Sequence, residues 1–216
     1  MAPKKKSPAK KQQQQSDRTY PKGVEVLSSK VSFEGPLFRV VTEEVREPGG
    51  KPHRRDVVRH PGSVVILAVD DAKSKRDPLI LLERQYRHAA AQYMYEIPAG
   101  SLDPGEDPLT GAKRELLEET GYKAKHWSKL IRFYASPGFL GEWMQIFLAE
   151  GLMPGDAEPE DDEHIELFAV PLSELLREIE AGRILDGKTI AATLLYDRLR
   201  KERQRAERAA ARSSRG

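Results

Sequence analysis

The chain has 216 residues, no cysteine and a formal net charge of +2. That length fits one domain with a sizeable core, and the missing cysteines exclude disulfides, thiolate zinc sites and thiol nucleophiles. Six Lys/Arg against one Asp in residues 1–20, and eight against two acids in 198–216, leave residues 21–197 at −9. An acidic body suits cation binding better than nucleic-acid binding, so nucleic acid is an unlikely partner.

The first segment, MAPKKKSPAKKQQQQSD, joins lysines to a glutamine run with no apolar core behind them. Residues 1–20 therefore read as a disordered basic tail, and the expectation is a cytoplasmic protein with no membrane segment. VEVLSSKVSF (24–33), LFRVVTEEVRE (37–47) and HRRDVVRH (53–60) alternate as strands, the last two joined by the turn PGGK. Residues 21–60 form an expected N-terminal antiparallel β subdomain. SVVILAVDD (63–71) and PLILLERQYR (78–87) are apolar enough for core strands, and YMYEIP (93–98) adds a short one.

GSLDPGEDPLTGAKRELLEETGY (100–122) opens on a loop and continues as a helix. Asp107-Pro108 supplies its N-cap and first helical position, and Gly121 its left-handed stop. Gly100 and Gly105 are expected to let backbone carbonyls approach the helix. Glu115, Glu118 and Glu119 lie three and four residues apart, so their carboxylates share one face beside an apolar stripe of Leu109, Ala112 and Leu116. Like charges crowded in this way repel; Arg114 relieves Glu118 at i+4, and a hard divalent cation would relieve the rest. Glu106 stands before the helix as a brace.

Strands KLIRFYAS (129–136) and EWMQIFLAEG (142–151), an acidic loop (154–163) and the strand HIELFAV (164–170) follow. Two helices close the chain: PLSELLREIEAG (171–182), ended by Gly182, and one from Asp186, apolar first and basic at its end. Residues 61–197 read as the main domain and 198–216 as a basic helix end or tail. GRILDGKT (182–189) satisfies the P-loop expression, but a helix rather than a strand precedes it, so that reading is refused. The five histidines have no paired ligand spacing.

Gly100, Glu106, Arg114-Glu115-Leu116, Glu118-Glu119 and Gly121-Tyr122 resemble the Nudix box, with Tyr122 in a place that is usually aliphatic. Seven fixed identities in that frame would co-occur by chance with a probability on the order of one in a million. The resemblance implies an α/β/α sandwich with a mixed sheet and a hydrolase of nucleoside diphosphate derivatives. It implies Mg²⁺, with Mn²⁺ as an alternative, held by Glu115, Glu118, Glu119 and the carbonyl of Ala99, with Arg114 orienting the glutamates. QYR (85–87), E-x-PAG (96–100) and Pro137, 16 residues after Gly121, resemble the ADP-ribose pyrophosphatase subgroup.

That subgroup implies Arg87 as a substrate contact, with Arg55 and Ser101 as further ones. It also implies an acid from the late loop as base or extra ligand: Glu163, with Asp161 and Asp162 as rivals and Glu142 a weaker candidate. N-terminal strands that pair two chains and help clamp adenine imply a homodimer. The implied reaction is cleavage of ADP-ribose to AMP and ribose 5-phosphate. A pyrophosphatase acting on GDP-mannose or ADP-glucose is the nearest alternative, and a non-catalytic sensor a further one.

Overall fold

The computed structural model describes residues 19–155 and 165–213. β1 (Glu25–Glu34), β2 (Arg39–Arg46) and β3 (His53–Arg59) form a three-stranded antiparallel sheet. A second, seven-stranded sheet has β4 (Ser63–Asp70) near its middle. Its path is β10 (Glu166–Pro171), β5 (Leu79–Arg87), β4, β9 (Trp143–Pro154), β8 (Tyr122–Tyr134). β6 (Gln92–Glu96) extends β5, and β7 (Ala99–Ser101) pairs with β4. β4 and β9 run parallel while the other pairs are antiparallel, so the sheet is mixed, as expected.

Alternation along β4 explains the layers. Val64, Ile66 and Ala68 face α1 (Pro108–Thr120), where Ala112 and Leu116 meet them with Leu81 and Phe147. Val65, Leu67 and Val69 face the other way, onto Leu172 and Leu175 of α2 (Leu172–Glu180) and Ala192 and Tyr196 of α3 (Gly187–Ser213). A strand covered on both faces must be apolar throughout, which is why SVVILAVD reads as a continuous run. Burying each of these aliphatic side chains contributes roughly 1.5–3 kcal/mol. The α/β/α sandwich is the fold expected from the sequence.

The small sheet joins the body through the loop before β9. Val58 N–H donates to the Phe139 carbonyl at 2.8 Å, and Gly141 N–H donates to the Val58 carbonyl at 2.8 Å.

Three local expectations change. β8 starts at Tyr122, directly after α1, and not at Lys129, because its first half is mixed polar and pairs with the end of β9. The segment 99–101 is a strand and not a loop: Ala99, Gly100 and Ser101 pair with Val65, Val64 and Ser63. α3 continues unbroken past residue 198 to Ser213, supported by Lys201–Asp197 (2.6 Å) and Arg198–Glu202 (3.1 Å) pairs. Among the described residues no helix is long and apolar enough to cross a membrane. Most of the basic tail, residues 1–18, lies outside the described residues.

Candidate active site

The caps of α1 form as the sequence requires. The Asp107 carboxylate accepts from Leu109 N–H at 3.0 Å and Thr110 N–H at 3.2 Å, and Gly121 takes φ +69°. With Ala112 and Leu116 turned into the core, the face carrying Glu115 and Glu119 lies along β7.

Arg114 is the hub of that face. Its Nε and Nη2 donate to the two oxygens of Glu106 at 3.1 and 3.0 Å, and its Nη1 reaches Glu118 and Glu115, each at 2.9 Å. Nη2 also donates to the Ser101 carbonyl at 3.3 Å. These bonds, first that to Glu106, hold the guanidinium charged well above its ordinary range. The same Arg114 hydrogen bonds hold the Glu106 carboxyl below the usual carboxylate range. Glu106 additionally accepts from Asp103 N–H at 3.1 Å, which fixes the loop before the helix.

Two carboxylates lie against the β7 backbone. Glu119 Oε2 accepts from Ala99 N–H at 3.0 Å. A Cβ built on Gly100 would come within 2.0 Å of Glu115 Cδ, so only glycine leaves room for that side chain. Gly105, expected to serve the same approach, has no atom within 4 Å of such a Cβ; its glycine serves the turn at φ +82°.

Among the described residues no three His, Asp or Glu side chains stand grouped as a finished metal site, because Glu115 and Glu118 engage Arg114 and Glu119 engages Ala99. The donor chemistry nevertheless suits a hard cation. Glu115, Glu118 and Glu119 offer only oxygen, on one helix, beside the half-buried main chain of β7.

A second charged cluster adjoins the first. Arg87 grips Glu96 with two bonds of 2.9 Å, and Glu96, 3 % exposed, also accepts from Lys188 Nζ. Lys188 lies 3.1 Å from Asp186, whose other oxygen caps α3 by accepting from Thr189 N–H at 2.9 Å. Ile97 N–H donates to Thr189 Oγ1 at 2.9 Å, which joins α3 to the turn between β6 and β7. Burial pushes the Glu96 carboxyl up, but hydrogen bonds from Arg87 and Lys188 outweigh it and hold it below its ordinary value. Arg87 is held above its own, chiefly by Glu96, with the Glu119 charge contributing; the two clusters thus share a field.

A cavity of about 510 Å³ opens where the small sheet meets the body. Phe38, Arg39, Arg59, His60 and Trp143 are among its walls. Arg132 stacks over the Trp143 ring at 4.1 Å, and Arg59 is anchored to Glu43 at 2.7 Å. Ser63 Oγ donates to Glu142 at 2.6 Å while Ser63 pairs across the sheet with Ser101. A short chain of contacts therefore runs from the cavity wall to Arg114.

The residues expected from the sequence divide accordingly. Arg114, Glu115, Glu118, Glu119, Ala99 and Ser101 come together, and Arg87 lies within the field of Glu119. Arg55 does not: it projects from β3 beside Glu47 at 3.8 Å, outside the cavity lining. Glu142 accepts from Ser63 Oγ at 2.6 Å, with His60 at 3.7 Å. Glu163, Asp161 and Asp162 lie outside the described residues. The refused P-loop has α2 before it, and its lysine is spent on Glu96. Sequence reasoning assigned nothing to Glu96, Lys188, Phe38 or Trp143. E-x-PAG and GRILDGKT were the available signals for the first two.

Comparison with known proteins places this geometry among relatives. The model of the NUDIX domain matches residues 59–192. An ADP-ribose pyrophosphatase of Bacillus subtilis (strain 168) is 40% identical over 162 residues, covering 74% of this chain and 85% of that protein. An ADP-ribose pyrophosphatase of Mycobacterium tuberculosis (strain ATCC 25618 / H37Rv) is 36% identical over 173 residues, covering 79% and 81%. A crystal structure of an ADP compounds hydrolase superposes with a TM-score of 0.72 over 86% of this chain and 98% of that one. At 22% identity that last likeness speaks for the fold alone.

Proposed function

The chain belongs to the Nudix family, and on that premise we propose that it hydrolyses the diphosphate bond of ADP-ribose, giving AMP and ribose 5-phosphate. The observation that carries the reading is the α1 face, where Glu115, Glu118 and Glu119 are gathered around Arg114 and the β7 backbone. Similarity to ADP-ribose pyrophosphatases over about three quarters of the chain supports the choice of substrate.

Hydrolases of this family generally need divalent cations, and Mg²⁺, or Mn²⁺ in its place, is the cofactor proposed. Glu115, Glu118, Glu119 and the Ala99 carbonyl would hold it. When bound it supplies neutralisation of the diphosphate and acidification of a water. The protein's own groups do the rest. Arg114 neutralises and orients its glutamates. Arg87, 41 % exposed at its side chain, offers N–H donors to a phosphate or ribose oxygen. Ser101 lies on β7 beside these groups, with Arg55 a further contact proposed from the resemblance. Glu163 is the acid proposed to take the proton of the attacking water.

The cavity beside Phe38 and Trp143 suits a flat base: two aromatic rings and the Arg39 and Arg59 cations surround it. We assign it to the adenine end. Residues 21–60 would then act as a substrate-clamping subdomain and 61–197 as the catalytic one. Exposed Leu27, Val31 and Phe33 on β1 support pairing of this subdomain with a second copy in a homodimer. The cysteine-free composition supports a reducing, cytoplasmic setting.

The test is phosphate release, coupled to a phosphatase, over ADP-ribose, ADP-glucose, GDP-mannose and dinucleotides with Mg²⁺ or Mn²⁺. ADP-ribose should give the highest kcat/KM. A higher value for GDP-mannose would reassign the substrate, and no release from any diphosphate would end the hydrolase reading.

A further inference from the structure

Lys188 is 8 % exposed, among the least accessible charged groups described. Burying an ammonium is costly, and an apolar side chain of similar length would fill the same space more cheaply. Its placement therefore asks what the charge does. Nζ touches Glu96 Oε2 and lies 3.1 Å from Asp186 Oδ1. The same Glu96 Oε2 accepts from Arg87 Nη2, and Glu96 Oε1 from Arg87 Nε. Glu96 is thus a shared anion with one cation buried behind it and one half-exposed in front.

The surroundings are rich in carboxylates. Glu83, also 3 % exposed, stands opposite Glu96 in the β5–β6 register, and Glu119 and Asp186 both act on Arg87 through their charges. Were Glu96 to answer only to Arg87, the guanidinium would be neutralised by its own anchor and outnumbered by its neighbours. A diphosphate approaching it would then meet more negative charge than it does with Lys188 in place.

We propose that Lys188 is a positioning residue for substrate. It takes up part of the charge of Glu96 from behind and fixes its Oε2, so that Arg87 keeps its orientation and is less fully neutralised by its anchor as it faces a nucleoside diphosphate. This rests on the reading of Arg87 as a contact to the diphosphate substrate. It gives the DGKT segment (186–189) a task unrelated to a P-loop: phosphate is recognised through an arginine that the lysine supports from behind.

The test compares wild type, Lys188→Met, Lys188→Arg and the charge-balanced Asp186→Asn/Lys188→Met double variant. Asn at 186 can still accept the Thr189 N–H bond that caps α3. For each, kcat and KM for ADP-ribose are measured with Mg²⁺, its Kd is measured by calorimetry in EDTA, and Tm is recorded. Lys188→Met should raise both KM and Kd about tenfold while kcat changes less than about threefold. Lys188→Arg should recover most of that loss, and the double variant part of it, because one anion has been removed with the cation.

A role in packing alone would make the affinity loss follow Tm, with no recovery on restoring the charge balance; that result overturns the proposal. So does an unchanged KM and Kd in Lys188→Met. Failure of the substrate reading is separable. If wild type ignores ADP-ribose but cleaves GDP-mannose, the same contrast on GDP-mannose upholds the role of Lys188. If wild type cleaves no diphosphate, both fall together.

Discussion

Gly100 lies directly beneath the carboxylate of Glu115: a Cβ at residue 100 would sit 2.0 Å from Glu115 Oε1 and 2.0 Å from its Cδ. The absence of one side chain on β7 is what lets one on α1 reach the proposed metal face. Gly100→Ala should therefore displace Glu115 and leave the strand in place. Turnover should fall at least about a hundredfold, with a stability loss of only about 1–2 kcal/mol. Rate and urea midpoint, measured on the same sample, check this; a normal rate would show that Glu115 acts from another position.

Glu119→Gln retains an oxygen to accept the Ala99 N–H bond, so the fold should survive. It removes one charge from the proposed cation ligands. The expected cost is about 3–4 kcal/mol of transition-state stabilisation, a loss of kcat/KM on the order of several hundredfold. Binding of Mn²⁺ followed by electron paramagnetic resonance should weaken in parallel. Near-normal turnover would remove Glu119 from the ligand set.

Arg114→Met leaves Glu106, Glu115 and Glu118 without their shared counter-ion. Without added metal the variant should be less stable by about 2–3 kcal/mol, and raising Mg²⁺ should restore part of that loss as the cation takes over the neutralising task. Thermal midpoints across a Mg²⁺ series make the comparison. A deficit independent of Mg²⁺ would mean that Arg114 is only a structural brace.

Glu96 contributes to acid sensitivity. Its folded-state pKa lies below its ordinary value of 4.5, so its stabilisation is complete above that value and is lost as pH falls through the folded one. Glu96→Gln should be less stable than wild type by about 3 kcal/mol at neutral pH, because Lys188 then loses its carboxylate. The gap should begin to narrow below pH 4.5 and close as pH falls through the folded value. Urea unfolding of both proteins between neutrality and pH 3 would reveal it; a gap of constant size would rule out this carboxylate as its source.

Glu163→Gln should lower kcat more than it raises KM, as expected for loss of a proton acceptor and not of a binding contact. Asp161→Asn and Asp162→Asn are the controls. An effect no larger than theirs would move the base elsewhere.

Much of this site is written locally. α1 could be bounded from Asp107, Pro108 and Gly121 because caps depend on neighbours in sequence, and its carboxylates could be grouped because a helix fixes which residues share a face. The sandwich was implied by the resemblance to the Nudix box, and the unbroken apolar run of β4 agrees with it, since such a strand requires cover on both faces. What the sequence concealed depends on distant pairing. Lys188 and Glu96 are 92 residues apart, and nothing near either one predicts the other. β7 is three residues long and contains a glycine, so only its partner β4 makes it a strand. Arg55 was carried over by resemblance alone, and within one chain it stands beside Glu47, outside the cavity lining.

α3 also divides the chain into a region where residue count is fixed and one where it is free. Its first turn is keyed to the body by Thr189 on Ile97 and Lys188 on Glu96. One residue inserted there would rotate everything beyond it by roughly 100° and carry the ammonium off its carboxylate. Past Gln204 the described residues of the helix are exposed through Ala211, and added or lost residues there leave the buried core residues in place. Descendants of this sequence can therefore lengthen, shorten or recharge that end at little cost, while a single insertion near residue 188 reaches the arginine proposed to meet the substrate.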